Sequence, residues 1–289
     1  MGADPSASLT ILCWNLFHGR DAPPNRALLT WRSRIFRTTE DDGEYLQVNR
    51  QLLEEFSALI AGADWSACLL QEVPPSWAAP IAERSEASFF RSLTSRNQLA
   101  PLTRGLGRWN PDLIASWEGG SNLTLVRSPW QIVPESERGL LLNRFPVRGL
   151  RERRWMSFLQ VQAEGQEAPR LCLANLHAST GRRGAEKDVR RAARSASAWA
   201  NGLPLVLGGD FNVRPRSSTV FDELQRDFGL TAPTNPAAID HLLARGLRVT
   251  RPPSEWPPDR RDVKVIRDGG TRRIRLSDHA PVEGTFEIP

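Results

Sequence analysis

Seven polar side chains stand where short apolar runs stop: Asn15, Glu72, His177, Asp210, Asn212, Asp278 and His279. The clearest case is Leu205 Val206 Leu207 Gly208 Gly209 Asp210 Phe211 Asn212, in which an aliphatic run halts at two glycines and then presents a carboxylate and a carboxamide on a turn. Asp accepts a proton or orients a base, while Asn offers NH₂ donors to an anionic oxygen without adding charge. One such end is equally well read as a strand followed by a solvated Asx turn. The construction recurs at Leu9–Asn15, Ala67–Glu72 and Leu171–His177, and recurrence favours several strands opening onto one rim.

The collected set holds hard oxygen ligands, two imidazoles and two carboxamides, with no CxxC, phosphate-binding glycine loop, GxSxG elbow or dinucleotide fingerprint. Such a set suits metal-assisted attack of water on phosphorus. A divalent ion neutralises the phosphate, a carboxylate-held histidine takes the proton, and neutral amides with a second imidazole hold the phosphoryl oxygens. Glu72 is the hard oxygen ligand that Mg²⁺ requires. Successive side chains alternate along extended backbone, so His279 pairs with an acid other than Asp278, and Asp210 is the expected partner. Asp240 reads as a buttress for a neighbouring loop.

Behind these ends the chain supplies covering elements. Glu44 to Ala61 carries apolar residues at helical spacing, Pro74 to about Leu93 reads as a second helix, Glu186 to Ala200 is amphipathic, and Phe221 to Phe228 follows a helix-start cluster. Leu113–Trp117 and Asn122–Val126 read as neighbouring strands across a turn at Gly119–Ser121, with Asn122 a candidate substrate contact. Leu140 to Val147 and Arg154 to Val161 extend the sheet. Two arginine-rich stretches lack periodicity. One is the insertion 20–39, with Trp31 and Phe36 interleaved; the other is the loop around Arg96, Arg104, Arg108 and Trp109, from which Arg108 is a candidate substrate contact. The aromatics of the first stretch fit a base-stacking surface, and slightly better a solvated insertion that tucks them into the core.

The 289 residues suffice for one large core, giving a flexible start at 1–8 and a single domain over 9–289. No apolar run reaches the roughly 20 residues of a membrane span, and the first residues lack a signal-peptide layout, so a cytoplasmic location is expected. Cys13, Cys68 and Cys172 lie inside apolar runs and read as buried, reduced thiols. A net charge of +5 from dispersed arginines favours a polyanionic partner.

Taken in order, Trp14 Asn15, Leu70 Gln71 Glu72, Asn175 Leu176 His177, Gly209 Asp210 Phe211 Asn212 and Ser277 Asp278 His279 resemble the signature blocks of the endonuclease/exonuclease/phosphatase superfamily, the pancreatic-deoxyribonuclease-like fold. The resemblance spans about residues 9 to 288. It implies an α/β fold: a four-layer α/β/β/α sandwich with two mostly antiparallel central sheets flanked by helices. It also implies Mg²⁺, with Mn²⁺ as a substitute, at Glu72 with Asn15 and Asp278 nearby. His279 oriented by Asp210 would be the general base, with His177 and Asn212 on the scissile phosphate and Asn15 beside it. Val73 Pro74 after the glutamate, where abasic-site endonucleases carry a lysine two residues on, looks more like the deoxyribonuclease and sphingomyelinase branches. His241 follows Asp240 where many relatives have an aromatic, and the insertion 20–39 matches no pattern of the family.

Three functions follow as expectations. A metal-dependent nuclease acting on DNA leads, supported by the basic charge and the arginine/aromatic stretches, with nucleic acid as substrate and no obligate protein partner. A phosphatase or lipid phosphodiesterase on the same scaffold comes second, because the fold does not choose the substrate. A catalytically dead binding module comes last, since the acid, base and ligand set is intact.

Overall fold

The computed structural model describes residues 8–95, 106, 109–114, 119–143, 153–231 and 234–289. In chain order, β1 (Ser8–Asn15) leads through the insertion, with α1 (Trp31–Phe36) and the short strands β2 (Glu40–Asp41) and β3 (Leu46–Gln47), to α2 (Leu53–Ala61). Next come β4 (Ala67–Val73), α3 (Ala78–Arg84), β5 (Ala87–Ser95), α4 (Pro111–Ile114), β6 (Gly120–Arg127), β7 (Trp130–Ile132) and β8 (Arg138–Leu141). The second half runs β9 (Trp155–Ala163), β10 (Leu171–His177), α5 (Arg182–Ala200), β11 (Leu205–Asp210), α6 (Val220–Phe228) and β12 (Asp240–Arg245). It closes with β13 (Arg248–Glu255), α7 (Pro258–Arg261), the hairpin β14 (Asp262–Arg267) and β15 (Gly270–Arg275), and β16 (Val282–Glu287).

One sheet has the order β13-β16-β1-β4-β6-β5; the other has β12-β11-β10-β9-β7, with β8 also on β9. The two-residue periodicity of the strands builds the layers. Ile11, Cys13, Ala67 and Leu69 point inward with Leu171, Leu173, Val206 and Phe286, forming the core between the sheets. Their sequence neighbours Leu12, Trp14, Cys68 and Leu70 face outward against Phe56 and Ile60 of α2 and Ile81 of α3. On the other sheet Cys172, Ala174, Leu176, Leu205 and Leu207 face outward against Val189, Ala192 and Ala196 of α5 and Leu224 of α6. Three apolar cores between four layers make the α/β/β/α sandwich. The cysteines are free and buried within it.

Each sheet is antiparallel except for one central parallel pair, β1 with β4 and β10 with β11. Each pair therefore opens at one end, which carries Asn15 and Glu72 in one sheet and His177 and Asp210 in the other, and the Asn15–Asp210 and Glu72–His177 contacts make these one rim. Gly209 makes the last turn of β11 possible. Its φ is +144°, and an added Cβ would lie 1.9 Å from Leu176 O of the neighbouring strand.

Several boundaries differ from the sequence reading. The helix expected from Glu44 begins only at Leu53, because Tyr45 N bonds back to Asp42 Oδ1 and closes the β2–β3 hairpin. The helix expected over 74–93 ends at Arg84, where Glu86 takes φ +52° and turns the chain into β5. Residues 111–114 are helical, capped by Asn110 Oδ1 on Leu113 N, instead of the start of a strand. The rest of that proposed strand, Arg108, and residues 144–147 of another lie outside the described residues, as do 1–7 of the N-terminus, while Ser8 already belongs to β1. The insertion carries α1, and Trp31 and Phe36 remain on its surface, 62 % and 66 % exposed, not in the core.

Candidate active site

Glu72 sits at a bulge, where β4 slips against β6 between Leu70 and Val73, and its φ of +51° aims the carboxylate out of the ladder. It meets two imidazoles, His18 Nε2 and His177 Nε2, both at 3.4 Å. Arg154 Nη1 stands 3.9 Å away. His18 arrives through a tight left-handed turn at Phe17 and His18 immediately after β1. Gly19, with φ +76°, completes that turn against the indole of Trp77, which a Cβ would overlap.

Asp210, at the end of β11, is the hub of the rim. Its carboxylate accepts from Asn15 Nδ2 at 3.2 Å, from Asn212 N at 2.9 Å and from Asn212 Nδ2 at 2.9 Å, and His177 Nε2 lies 3.6 Å away. Burial, with Asp240 adding repulsion, pushes its carboxyl up to about 7. Asn15 Oδ1 accepts Phe17 N, so the carboxamide is fixed at both ends. Asn212 spends its second amide hydrogen on Ala178 O at 3.1 Å.

The histidine of the last block has a different partner from the one expected. His279 Nδ1 lies 2.7 Å from Asp240 Oδ2, so Asp240, the first residue of β12, orients it. Antiparallel pairing sets Asp240 directly opposite Asp210 in the sheet, which places the two acids side by side and leaves Asp240 nearer the imidazole. Asp210 acts on His279 only through space. Burial opposes the imidazolium, but the field and hydrogen bond of Asp240, with Asp210 and Asp278 adding, hold its pKa well above the ordinary histidine range. His279 Nε2 faces Asp278 Oδ1 at 3.7 Å. The loop is tied to β1, since Ser277 Oγ donates to Asn15 O and accepts His279 N.

His177 is fully buried, and burial together with the charge of Arg154 drives its pKa well below the ordinary value, so it is neutral. The Arg154 guanidinium touches both ring nitrogens, and Arg154 N is held by Asn143 Oδ1 at 2.8 Å. Asn122 is buried as a tie between sheets, donating to Trp155 O and Asn175 O, with Oδ1 unpartnered among the described residues. His241 packs edge-on against Phe211 and Phe221, filling an aromatic position, and burial lowers its pKa to about 4.

Two groups on the rim suit a divalent cation. Glu72, Asp278 and the Asn15 carbonyl are hard oxygen donors, and the Asp278 carboxyl is raised by burial and by the nearby Glu72 charge, a repulsion that a cation relieves. Asp210, Asp240 and His279 also place ligand atoms within 4.8 Å of one another. In this second group Asp240 Oδ2 is taken by His279 Nδ1 and the Asp210 carboxylate by Asn15 and Asn212, which favours the Glu72 side. His18, Arg154 and the pairing of Asp240 with His279 enter the site only through the tertiary structure. His18 was detectable, since it follows a strand end within three residues of Asn15; Arg154 carried no local signal.

Solved structures share this architecture at low identity. An endonuclease/exonuclease/phosphatase family protein from Bacteroides thetaiotaomicron is 15 % identical, covers 98 % of both chains and superposes with TM-score 0.64. A mannosyl-6-phosphatase from the same organism is 16 % identical over 96 % of this chain and 99 % of its own, with TM-score 0.64. Truncated TDP2 from Caenorhabditis elegans is 13 % identical over 97 % and 98 %, with TM-score 0.55. No curated protein matches by sequence. A family model matches residues 12–279, from within β1 to the histidine paired with Asp240. The chain therefore belongs to the Endonuclease/Exonuclease/phosphatase family, whose hydrolases act on phosphoester bonds.

Proposed function

We propose that the chain is a divalent-metal-dependent phosphodiesterase that cleaves nucleic acid, DNA first. One observation carries the reading: the Asp240–His279 pair, 2.7 Å apart, shares a rim with Glu72 and Asp278. That juxtaposition supplies a base and an anion-lined cation site at one point.

The cation, held by Glu72 and Asp278 with Asn15 beside them, would neutralise charge on the phosphate and its leaving oxygen. His279 donates Nδ1–H to Asp240; a cation bound at Glu72 and Asp278 would offset the Asp278 charge that helps raise the imidazole, leaving Nε2 deprotonated and able to take a proton from water. Asp240 stabilises the imidazolium that forms. His177, neutral and backed by Arg154, offers a hydrogen bond to a phosphoryl oxygen, and the guanidinium adds fixed positive charge. Asn212 gives a phosphoryl oxygen one of the amide hydrogens it now spends on Ala178 O or Asp210. Asp210 positions Asn15 and Asn212 and so sets the spacing between cation and phosphate.

The basic net charge and the exposed arginine/aromatic insertion support nucleic acid over a small neutral ester. The test measures turnover of plasmid DNA, single-stranded DNA, RNA and bis(p-nitrophenyl) phosphate with Mg²⁺ or Mn²⁺, for the wild type and His279→Ala. Turnover of DNA that disappears in the folded variant is the expected result. Cleavage confined to phosphomonoesters would turn the reading to a phosphatase, and unchanged turnover by His279→Ala would remove the base.

A further inference from the structure

A cavity of about 340 Å³ opens beside Asp278, lined by Phe17, Arg20, Asp21, Arg26, Arg34, Asp112, Arg261, Arg275 and Ser277 among others. Its arginines come from the insertion and from the segment around the β14–β15 hairpin, the parts of the chain with no assigned role. Five guanidiniums face three carboxylates there. One of the five is already spent, because Arg275 grips Asp262 through Nε and Nη2.

The remaining four leave donors over. Arg26 and Arg34 make no side-chain hydrogen bond among the described residues. Arg261 gives Nη1 to His279 O at 2.7 Å, yet its Nε is buried with no partner. Arg20 stacks its guanidinium 3.7 Å above the Phe17 ring, and it feels the charges of both Glu72 and Asp278. The carboxylates are weak competitors. Asp21 is buried with Oδ1 unpartnered, and burial raises it to about 8, so at neutral pH it is a donor as well; Asp112 is also raised by burial and is held by Gln47. The helix that brings Arg34 also displays Trp31 and Phe36, with ring centroids 5.8 Å apart, on its outer side.

We infer that this cavity binds the phosphate next to the scissile one in a single nucleic-acid strand, with Arg26, Arg34 and Arg261 as its donors and the α1 aromatics as a platform for the adjoining unpaired base. The inference rests on the phosphodiesterase reading. A phosphate needs several convergent donors and a net positive surround, and the cavity supplies both within one residue of the base. Stacking on exposed rings tolerates any base, which suits strand recognition without sequence preference.

The test compares the wild type with Arg26→Ala/Arg34→Ala and with Trp31→Ala/Phe36→Ala on three substrates: bis(p-nitrophenyl) phosphate, a dinucleotide with one phosphodiester, and a single-stranded octanucleotide. Binding of a fluorescent octanucleotide is followed in parallel by anisotropy in EDTA across a salt series. The wild type is expected to prefer the octanucleotide over the dinucleotide in kcat/KM. The arginine variant should lose about tenfold on the octanucleotide, mostly in KM, with bis(p-nitrophenyl) phosphate turnover unchanged and a salt slope smaller by about 0.7 for the lost phosphate contact. The aromatic variant should lose affinity with the slope unchanged. Equal use of dinucleotide and octanucleotide, or an arginine variant with unaltered octanucleotide KM and salt slope, overturns the inference while bis(p-nitrophenyl) phosphate cleavage upholds the phosphodiesterase reading. Failure to cleave any of the three overturns that reading and this one with it.

Discussion

Asp240→Asn separates the geometry found here from the pairing that the chain order suggests. Asp240 is buried, accepts Nδ1–H of His279 at 2.7 Å, and is the largest of the influences that stabilise the imidazolium once it forms. The amide keeps the shape and can still accept that hydrogen, so the fold survives. What is lost is the charge of the acceptor, at the moment when His279 takes the proton. A hydrogen bond to a charged group contributes about 1.5–3 kcal/mol against about 0.5–1.5 for a neutral one, so the loss is about 1–2 kcal/mol from the bond alone. That corresponds to a fall in kcat of roughly 5- to 30-fold, and deeper if the amide turns its NH₂ toward the ring and reverses the tautomer. Asp210→Asn should instead act through Asn15 and Asn212 and raise KM along with lowering kcat. Steady-state kinetics on bis(p-nitrophenyl) phosphate with Mn²⁺, alongside melting curves that establish folding, provide the measurement. A folded Asp240→Asn enzyme with kcat within twofold of the wild type would refute the orienting role.

Other substitutions probe separate links. Glu72→Gln should remove high-affinity Mn²⁺ binding in calorimetric titration, and unchanged affinity would move the cation to the Asp210–Asp240–His279 group. Gly209→Ala must force Cβ into Leu176 O at 1.9 Å, so it should cost at least about 2 kcal/mol and lower Tm by several degrees; an unshifted Tm would show that β11 relaxes freely. Asp21 has a folded pKa of about 8, above its unfolded value, so the folded state binds the proton more tightly. Its stabilising effect is full below about pH 4 and is lost as pH rises to 8, by up to about 1.4 kcal/mol per unit. Asp21→Asn should therefore match the wild type in Tm near pH 4.5 and exceed it at pH 8.5, and parallel curves would contradict the burial argument.

Strand ends and their polar termini were legible in the sequence because they depend on near neighbours. A run such as Leu171–Leu176 alternates between two buried faces, and the residue that follows it, His177, must emerge at the rim. The layer order came from the resemblance of the ordered blocks to the family, not from the helical and extended periods. Where local pattern was ambiguous it failed: apolar residues at 46, 48, 52 and 53 fit a helix, yet the Asp42 turn claimed the first of them for β3.

By itself the sequence determined that Asn15, Glu72, His177, Asp210 and Asn212 stand at strand ends and what chemistry they share, because alternation and turn propensity act over a few residues. Which of them touch was decided only by the tertiary structure. Asp240 reaches His279 from 39 positions away because β12 pairs antiparallel with β11, so its first residue lies at the end where β11 stops. Arg154 meets His177 because β9 pairs antiparallel with β10, and Arg34 of α1 lines one cavity with Arg261 of α7; in both cases the separation along the chain carries no trace of the contact.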